Sequence, residues 1–171
     1  MVHSFSIQLK EKIIPAFEHA HGAGYQMLLM VDNSQGHSAY AKDALLTSRM
    51  NMNPGKKQAC LRDGWFMCHG EKVSHQMVFP KDHPKFPDMP KGIKHVLMER
   101  GLWKDSLCMW CKDNCTSDNC CAKQILDNQL DFKGQKSLVQ EAVKSAGHMC
   151  IFLLKFHCEL NFIEYFWGTT K

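Results

Sequence analysis

No aspartate occurs in the first 31 residues, and nowhere in the 171-residue chain does an apolar run approach the roughly 20 residues of a membrane-spanning helix. Residues 1–20 mix charges with short apolar pairs, so the apolar core of a secretory signal is lacking as well. Internal repeats, low-complexity linkers and a helix-turn-helix pattern are missing too. The expectation is a soluble intracellular chain, nuclear or cytoplasmic, with no membrane partner. The missing aspartate gains its meaning only when the carboxylates that are present have been placed.

What is present suits one globular domain with a real core and room for an insertion. A formal charge of +4 with ten histidines permits nucleic acid as a partner without requiring it. Phe5 to His19 places Ile7, Ile13, Ile14 and Phe17 near helical spacing, with Pro15 as a kink or boundary. After Gly22-Ala23-Gly24, Tyr25 to Val31 is a continuous apolar run of strand length, the pattern of a central strand covered on both faces. Helical spacing returns over Ala39 to Met50 and stops at Asn53-Pro54-Gly55. Arg62 to Pro80 reads as a β-hairpin, Lys81 to Pro90 as extended loop, and Gly92 to Arg100 as a short helix ended by Gly101. Cys121 to Leu130 and Lys136 to Ala146 suggest two more helices, and Met149 to Leu154 a second apolar strand.

Asp32 ends the first apolar run, at the kind of strand terminus where ligands gather in open α/β sheets; Glu164 stands where a last helix would begin. Each has a plain structural alternative, a turn or N-cap aspartate and a first-turn glutamate favoured by the helix dipole. As a pair, their hard oxygens suit Mg²⁺ or Mn²⁺. Two such ions about 4 Å apart activate an attacking water and stabilise the leaving oxygen of a phosphodiester. A site of this kind calls for another Asp on a preceding strand, and residues 1–31 do not supply it.

Val31-Asp32-Asn33-Ser34-Gln35-Gly36-His37 resembles the segment around the second catalytic Asp of mariner-like DDE transposases. Leu154-Lys155-Phe156-His157-Cys158-Glu159-Leu160-Asn161-Phe162-Ile163-Glu164-Tyr165-Phe166-Trp167-Gly168 resembles the segment that carries their third catalytic acid. Four stretches between them resemble transposase-derived sequences of fungal genomes: Arg62-Asp63-Gly64-Trp65, Pro90-Lys91-Gly92-Ile93-Lys94, Glu99-Arg100-Gly101-Leu102-Trp103 and Gln129-Leu130-Asp131-Phe132. The resemblance implies an α/β, ribonuclease H-like mixed sheet flanked by helices, with a β-hairpin and a Cys-rich insertion between the second and third acidic positions. Residues 1–171 would then form one partial endonuclease domain, with the insertion at 60–131. It further implies that Asp32 and Glu164 are catalytic ligands of Mg²⁺ or Mn²⁺ and that Glu159 is not. Asn33, His37, Lys155 and His157 would sit beside the metal ligands or face DNA. DNA, as transposon ends or target, is the implied partner, and a homodimer is allowed. The first catalytic Asp and its strand are absent, Phe162 and Leu154 stand where the family favours Pro, and the Asp32 to Glu164 spacing is long. The expectation is therefore a domain shortened at both ends, whose ancestor cleaved and joined DNA and which does neither itself.

The insertion carries Cys108-x-x-Cys111, Cys115 and Cys120-Cys121, enough thiolates for a tetrahedral Zn²⁺ that would staple a polar loop. The expected ligands are Cys108, Cys111, Cys120 and Cys121, with Cys115 as a substitute and thiols without metal as the alternative. Cys60, Cys68, Cys150 and Cys158 lie in or beside expected strands and read as small buried apolar residues. Lys155, His157, Lys171, Lys56, Lys57 and Arg62 are candidate phosphate contacts, against a plain solvated surface. Two functions of different class follow. One is a metal-dependent endonuclease of transposase descent; the other is a non-enzymatic, zinc-stapled DNA- or protein-binding module or the relic of a degenerate element.

Overall fold

Pro15 has no amide hydrogen to donate, and the helical stretch that contains it changes pitch just ahead of it. In the computed structural model, α1 (Val2–Gln8) runs into a π-helical turn at Leu9–Ile13 and then into α2 (Ile14–His21). The amide of Ile14 reaches back to the Leu9 carbonyl, so the expected kink takes the form of a widened turn. The structure describes residues 2–34, 37–55, 57–111 and 119–154. It is mixed α/β and divides into two units, residues 1–41 with 136–171 and residues 42–135. Among the described residues no helix is long and apolar enough to cross a membrane.

In the first unit, β1 (Leu28–Val31) pairs in parallel with β4 (Met149–Phe152), in a register that sets Leu28 opposite Met149 and Val31 opposite Phe152. The helical stretch and α6 (Leu138–Ser145) cover one face of this pair, where Leu9, Ile14, Met27, Val139, Ala142 and Val143 form a core that Leu29 and Cys150 join. Helix α6 begins at a capping box: the Gln140 amide donates to Ser137 Oγ at 3.3 Å, and the Ser137 amide to Gln140 Oε1 at 3.1 Å. The expectation of a strand covered on both faces does not hold among the described residues. Leu28 and Met30 are 49% and 45% exposed, as are Met149 and Ile151 at 48% and 44%, all on the face away from the helices. A continuous apolar run establishes strand character; it cannot say how many layers lie against it.

The second unit opens where a helix was expected. Ala39 to Met50 contains only a 3₁₀ turn at Thr47–Arg49, because tertiary partners take the groups a helix would use. The Leu45 amide donates to Gln135 Oε1 at 2.9 Å and Thr47 Oγ1 to Asp127 at 2.6 Å, while Asp43 binds Arg62 through both backbone and carboxylate. The hairpin is present: β2 (Gly64–Cys68) and β3 (Glu71–His75) are antiparallel, and both turn residues have positive φ, 50° at His69 and 85° at Gly70, as a type I′ turn requires. Helix α3 (Ile93–Glu99) ends at Gly101, with φ 70° and the Leu102 amide folded back to Leu97 O at 2.8 Å. Helices α4 (Ala122–Asp127) and α5 (Leu130–Lys133) follow, where one helix was read. The core gathers Met77, Ile93, Val96, Leu97, Ala122, Ile125, Leu126 and Phe132.

Candidate functional site

Parallel pairing decides where the acids can meet. The Leu153 amide donates to Val31 O at 2.8 Å, so Asp32 and the chain beyond Phe152 leave the small sheet at the same edge. Asp32 lies half exposed there, with its side chain 49% accessible. Its Oδ1 accepts the Ser34 amide at 3.4 Å and a short hydrogen bond from His37 Nδ1. Partial burial pushes the Asp32 pKa up, but the bonds from His37 and Ser34 and the nearby imidazole outweigh it, and the net direction is down. Asp32 is thus held as an anion. Beyond it, in the polar stretch ahead of the expected helix, the His37 and Ser38 amides both donate to Ser34 O, at 3.1 and 3.0 Å. Glu164, Lys155 and His157 lie outside the described residues, as do Lys56 and Lys171.

A polar cleft of about 220 Å³ adjoins this edge, lined by Asn33, Ser38, Tyr40, Ser137, Gln140 and Phe152. Of these only Asn33 was singled out in the sequence. Ser137 and Gln140 look like a helix start and nothing more until α6 is seen to begin at the cleft. Its volume is below the several hundred Å³ of a pocket for a small organic ligand. Arg62, a candidate phosphate contact, is already engaged by Asp43 at 2.8 Å. A divalent ion fits Asp32 in donor type, a hard anionic oxygen near solvent; one carboxylate is not a complete site, and His37 would have to share or yield Oδ1.

The residue 42–135 unit contains a second cluster of ionisable groups that sequence reasoning missed. Arg100 donates from Nη1 and Nη2 to the two oxygens of Asp131 at 2.9 and 2.7 Å, and from Nε to His75 Nδ1 at 3.0 Å. His75 Nε2 makes a short hydrogen bond to Glu99, which also accepts from Lys91 Nζ at 2.7 Å. Guanidinium only donates, so Nδ1 must accept and His75 is the neutral tautomer with its proton on Nε2. Arg100 and Asp131 side chains are 0% and 1% exposed, which seals them from any substrate and makes the cluster a folding element. Burial pushes the His75 pKa below 6.5 despite Glu99, and Arg100 adds to the shift. Burial pushes Glu99 up, but Lys91 and His75 hold it below 4.5 on balance.

On acidification the unfolded chain binds the His75 proton first, near 6.5, while the folded state resists it, so stability falls as pH drops below that value. His95 shifts in the same direction, also through burial, and supplies part of the slope. His75→Gln should therefore lose less stability than the native chain between about pH 7.5 and about pH 5.5, measured by urea unfolding. An unchanged slope would assign the acid sensitivity to other groups.

The cysteines sort differently from expectation. All the described ones are thiols, with no disulfide. The sulfurs of Cys111, Cys120 and Cys121 lie within 4.8 Å of one another, a group that can hold a metal ion; Cys108 is exposed and is not a member. Cys115 and Cys158 lie outside the described residues. Cys60 is exposed rather than buried, because it sits in a loop ahead of the hairpin, whereas Cys68 and Cys150 are partly covered and burial pushes the Cys150 pKa up. Comparison with protein-family models, with curated proteins and with solved structures yields no match.

Proposed function

We propose that the chain derives from a divalent-metal-dependent DNA endonuclease of the DDE transposase type, in which Asp32 and Glu164 are two of the carboxylates that bind Mg²⁺ or Mn²⁺. The observation that supports this reading most is the parallel β1 and β4 pair, since it sends Asp32 and the segment leading toward Glu164 out from one edge of one sheet. Two acids that share metal ions need that common edge. The Asp32 carboxylate lies half exposed at that edge, and Asn33, Ser38, Tyr40, Ser137 and Gln140 line the adjoining cleft with amide and hydroxyl groups of the kind that contact phosphate oxygens. When bound, the metal would supply the activated water and the charge that stabilises the leaving oxygen. The chain's own part is to fix Asp32 through Ser34 and His37.

Residues 1–31 hold no Asp, so two of the three acids that the resemblance calls for are accounted for. The property to measure is therefore metal binding, with plasmid nicking by this chain expected to be absent in Mg²⁺ and in Mn²⁺. Titration of Mn²⁺ into isotope-labelled chain should broaden the amide signals around Asp32, Asn33 and His37 first. Asp32→Ala and Glu164→Ala should each abolish that selectivity. Broadening spread evenly over the surface, or surviving in Asp32→Ala, would overturn the reading.

A further inference from the structure

We propose that Cys111, Cys120 and Cys121 hold a structural Zn²⁺ in the residue 42–135 unit, and that Cys108 stands outside the coordination shell. This inference is independent of the endonuclease reading. It corrects the ligand set that spacing alone suggests, because Cys-x-x-Cys spacing favours Cys108 and the structure sets it aside.

The three sulfurs lie within 4.8 Å of one another without a disulfide. Tetrahedral Zn²⁺ with Zn–S bonds of about 2.3 Å separates its sulfurs by about 3.8 Å, so binding requires a contraction of about 1 Å at most. An all-thiolate donor set selects a thiophilic ion such as Zn²⁺ over Mg²⁺ or Ca²⁺. On binding, each thiol releases its proton to solvent and the ion neutralises the thiolates. Among the described residues the group has three members, which leaves the fourth tetrahedral position to one further donor.

The backbone explains why Cys108 is left out. Its carbonyl accepts the Ala122 amide at 2.9 Å and the Met109 carbonyl accepts the Lys123 amide at 3.0 Å, so residues 108–109 lie across the first turn of α4. That brace carries the chain on to Cys111 beside Cys120-Cys121 while the Cys108 side chain remains exposed. Ala122, Ile125 and Leu126 of α4 are core residues, whereas Trp110 is 61% exposed and closes nothing. A metal staple would supply the closure that apolar contacts around Trp110 do not.

The full chain, purified with reductant and without chelator after growth in added Zn²⁺, should contain about one Zn²⁺ per molecule. Alkylation of this native chain, read by mass spectrometry, should modify Cys60 and Cys108 quickly and spare Cys111 and Cys120 until a chelator is added. Because those two are only partly buried, their chelator-dependent protection separates metal binding from burial. Co²⁺ exchanged into the site should give thiolate charge-transfer absorption, lost in Cys111→Ser and Cys120→Ser and retained in Cys108→Ser. Substoichiometric Zn²⁺, rapid alkylation of Cys111 and Cys120 before chelation, or loss of the absorption in Cys108→Ser would overturn the proposal. So would protection that yields to added reductant rather than to chelator, which would mark a disulfide. The alkylation pattern is read on the native sequence and does not depend on any variant folding.

Discussion

Arg100→Ala is expected to cost the chain about 3–5 kcal/mol, enough to unfold the residue 42–135 unit under ordinary conditions. The reason is not the strength of the ion pair but what remains when one partner goes. Asp131 is 1% exposed at its side chain, and without Arg100 its charge has neither counter-ion nor water. Asp131→Ala should cost a similar amount, since it strands the guanidinium and also removes the acceptor of the Trp65 amide at 3.0 Å. The double variant Arg100→Met with Asp131→Leu should recover much of the loss, because two apolar side chains of similar volume need no partners. Recovery should stop short of complete, as the Trp65 amide would still lack its acceptor, a deficit of about 1–3 kcal/mol. Three of the four tryptophans, Trp65, Trp103 and Trp110, belong to this unit, so urea unfolding followed by their emission reports on it. A loss below about 1 kcal/mol for Arg100→Ala would mean that water reaches the pair in solution.

Legibility in the sequence followed the range of the signal. Gly70, Gly101 and the Ser137–Gln140 box are local instructions, and the hairpin, α3 and α6 fall where those residues place them. The region Ala39 to Met50 carries an equally plain helical spacing and no helix, because Gln135, Asp127 and Arg62, remote in sequence, bind Leu45, Thr47 and Asp43. Asp32 could be read as a strand-end acid with His37 beside it, yet the Ser137 and Gln140 side of the cleft could not, since α6 lies about a hundred residues on. Glu99, Arg100 and Asp131 look in sequence like ordinary solvated charges. Only the approach of β2, α3 and α5 buries two of them, Arg100 and Asp131, and the stretches 62–65, 90–94, 99–103 and 129–132 are the segments that meet there. Gly64, Lys91, Glu99, Arg100 and Asp131, drawn from all four of those segments, belong to or touch one charge cluster. They carry the architecture of the unit, whereas the chemistry proposed for the chain rests on Asp32, outside it.

Gly92→Ala tests that distinction with a single methyl group. Gly92 precedes α3, whose first amides are satisfied by the preceding loop: Ile93 donates to Asn51 O at 2.9 Å and Lys94 to Met52 O at 3.1 Å. Those bonds draw the loop so close that a Cβ on Gly92 would lie 2.5 Å from Met52 O, 2.5 Å from Asn53 C and 2.8 Å from Asn53 Cα. All three are backbone atoms, so no rotamer change relieves the clash. Either the loop moves and the two amide bonds stretch, or α3 shifts within a core where Ile93, Val96 and Leu97 are 0% exposed. The expected loss is about 3 kcal/mol, the upper end for overpacking, read as a lower urea midpoint at unchanged slope. Gly55→Ala is the control: nothing lies within 4 Å of its Cβ position, and its φ carries no left-handed strain, so it should change stability by no more than about 0.5 kcal/mol. Gly64→Ala falls between them, since its Cβ would meet the Asp131 carboxylate at 2.3 Å, a side chain that can retreat only by loosening Arg100. The ranking Gly92, then Gly64, then Gly55 follows from what each methyl would strike: backbone, a tethered side chain, or open space. Equal effects at Gly92 and Gly55 would show that α3 and the loop do not approach as closely in solution, and the architectural role assigned to this segment would fall with it.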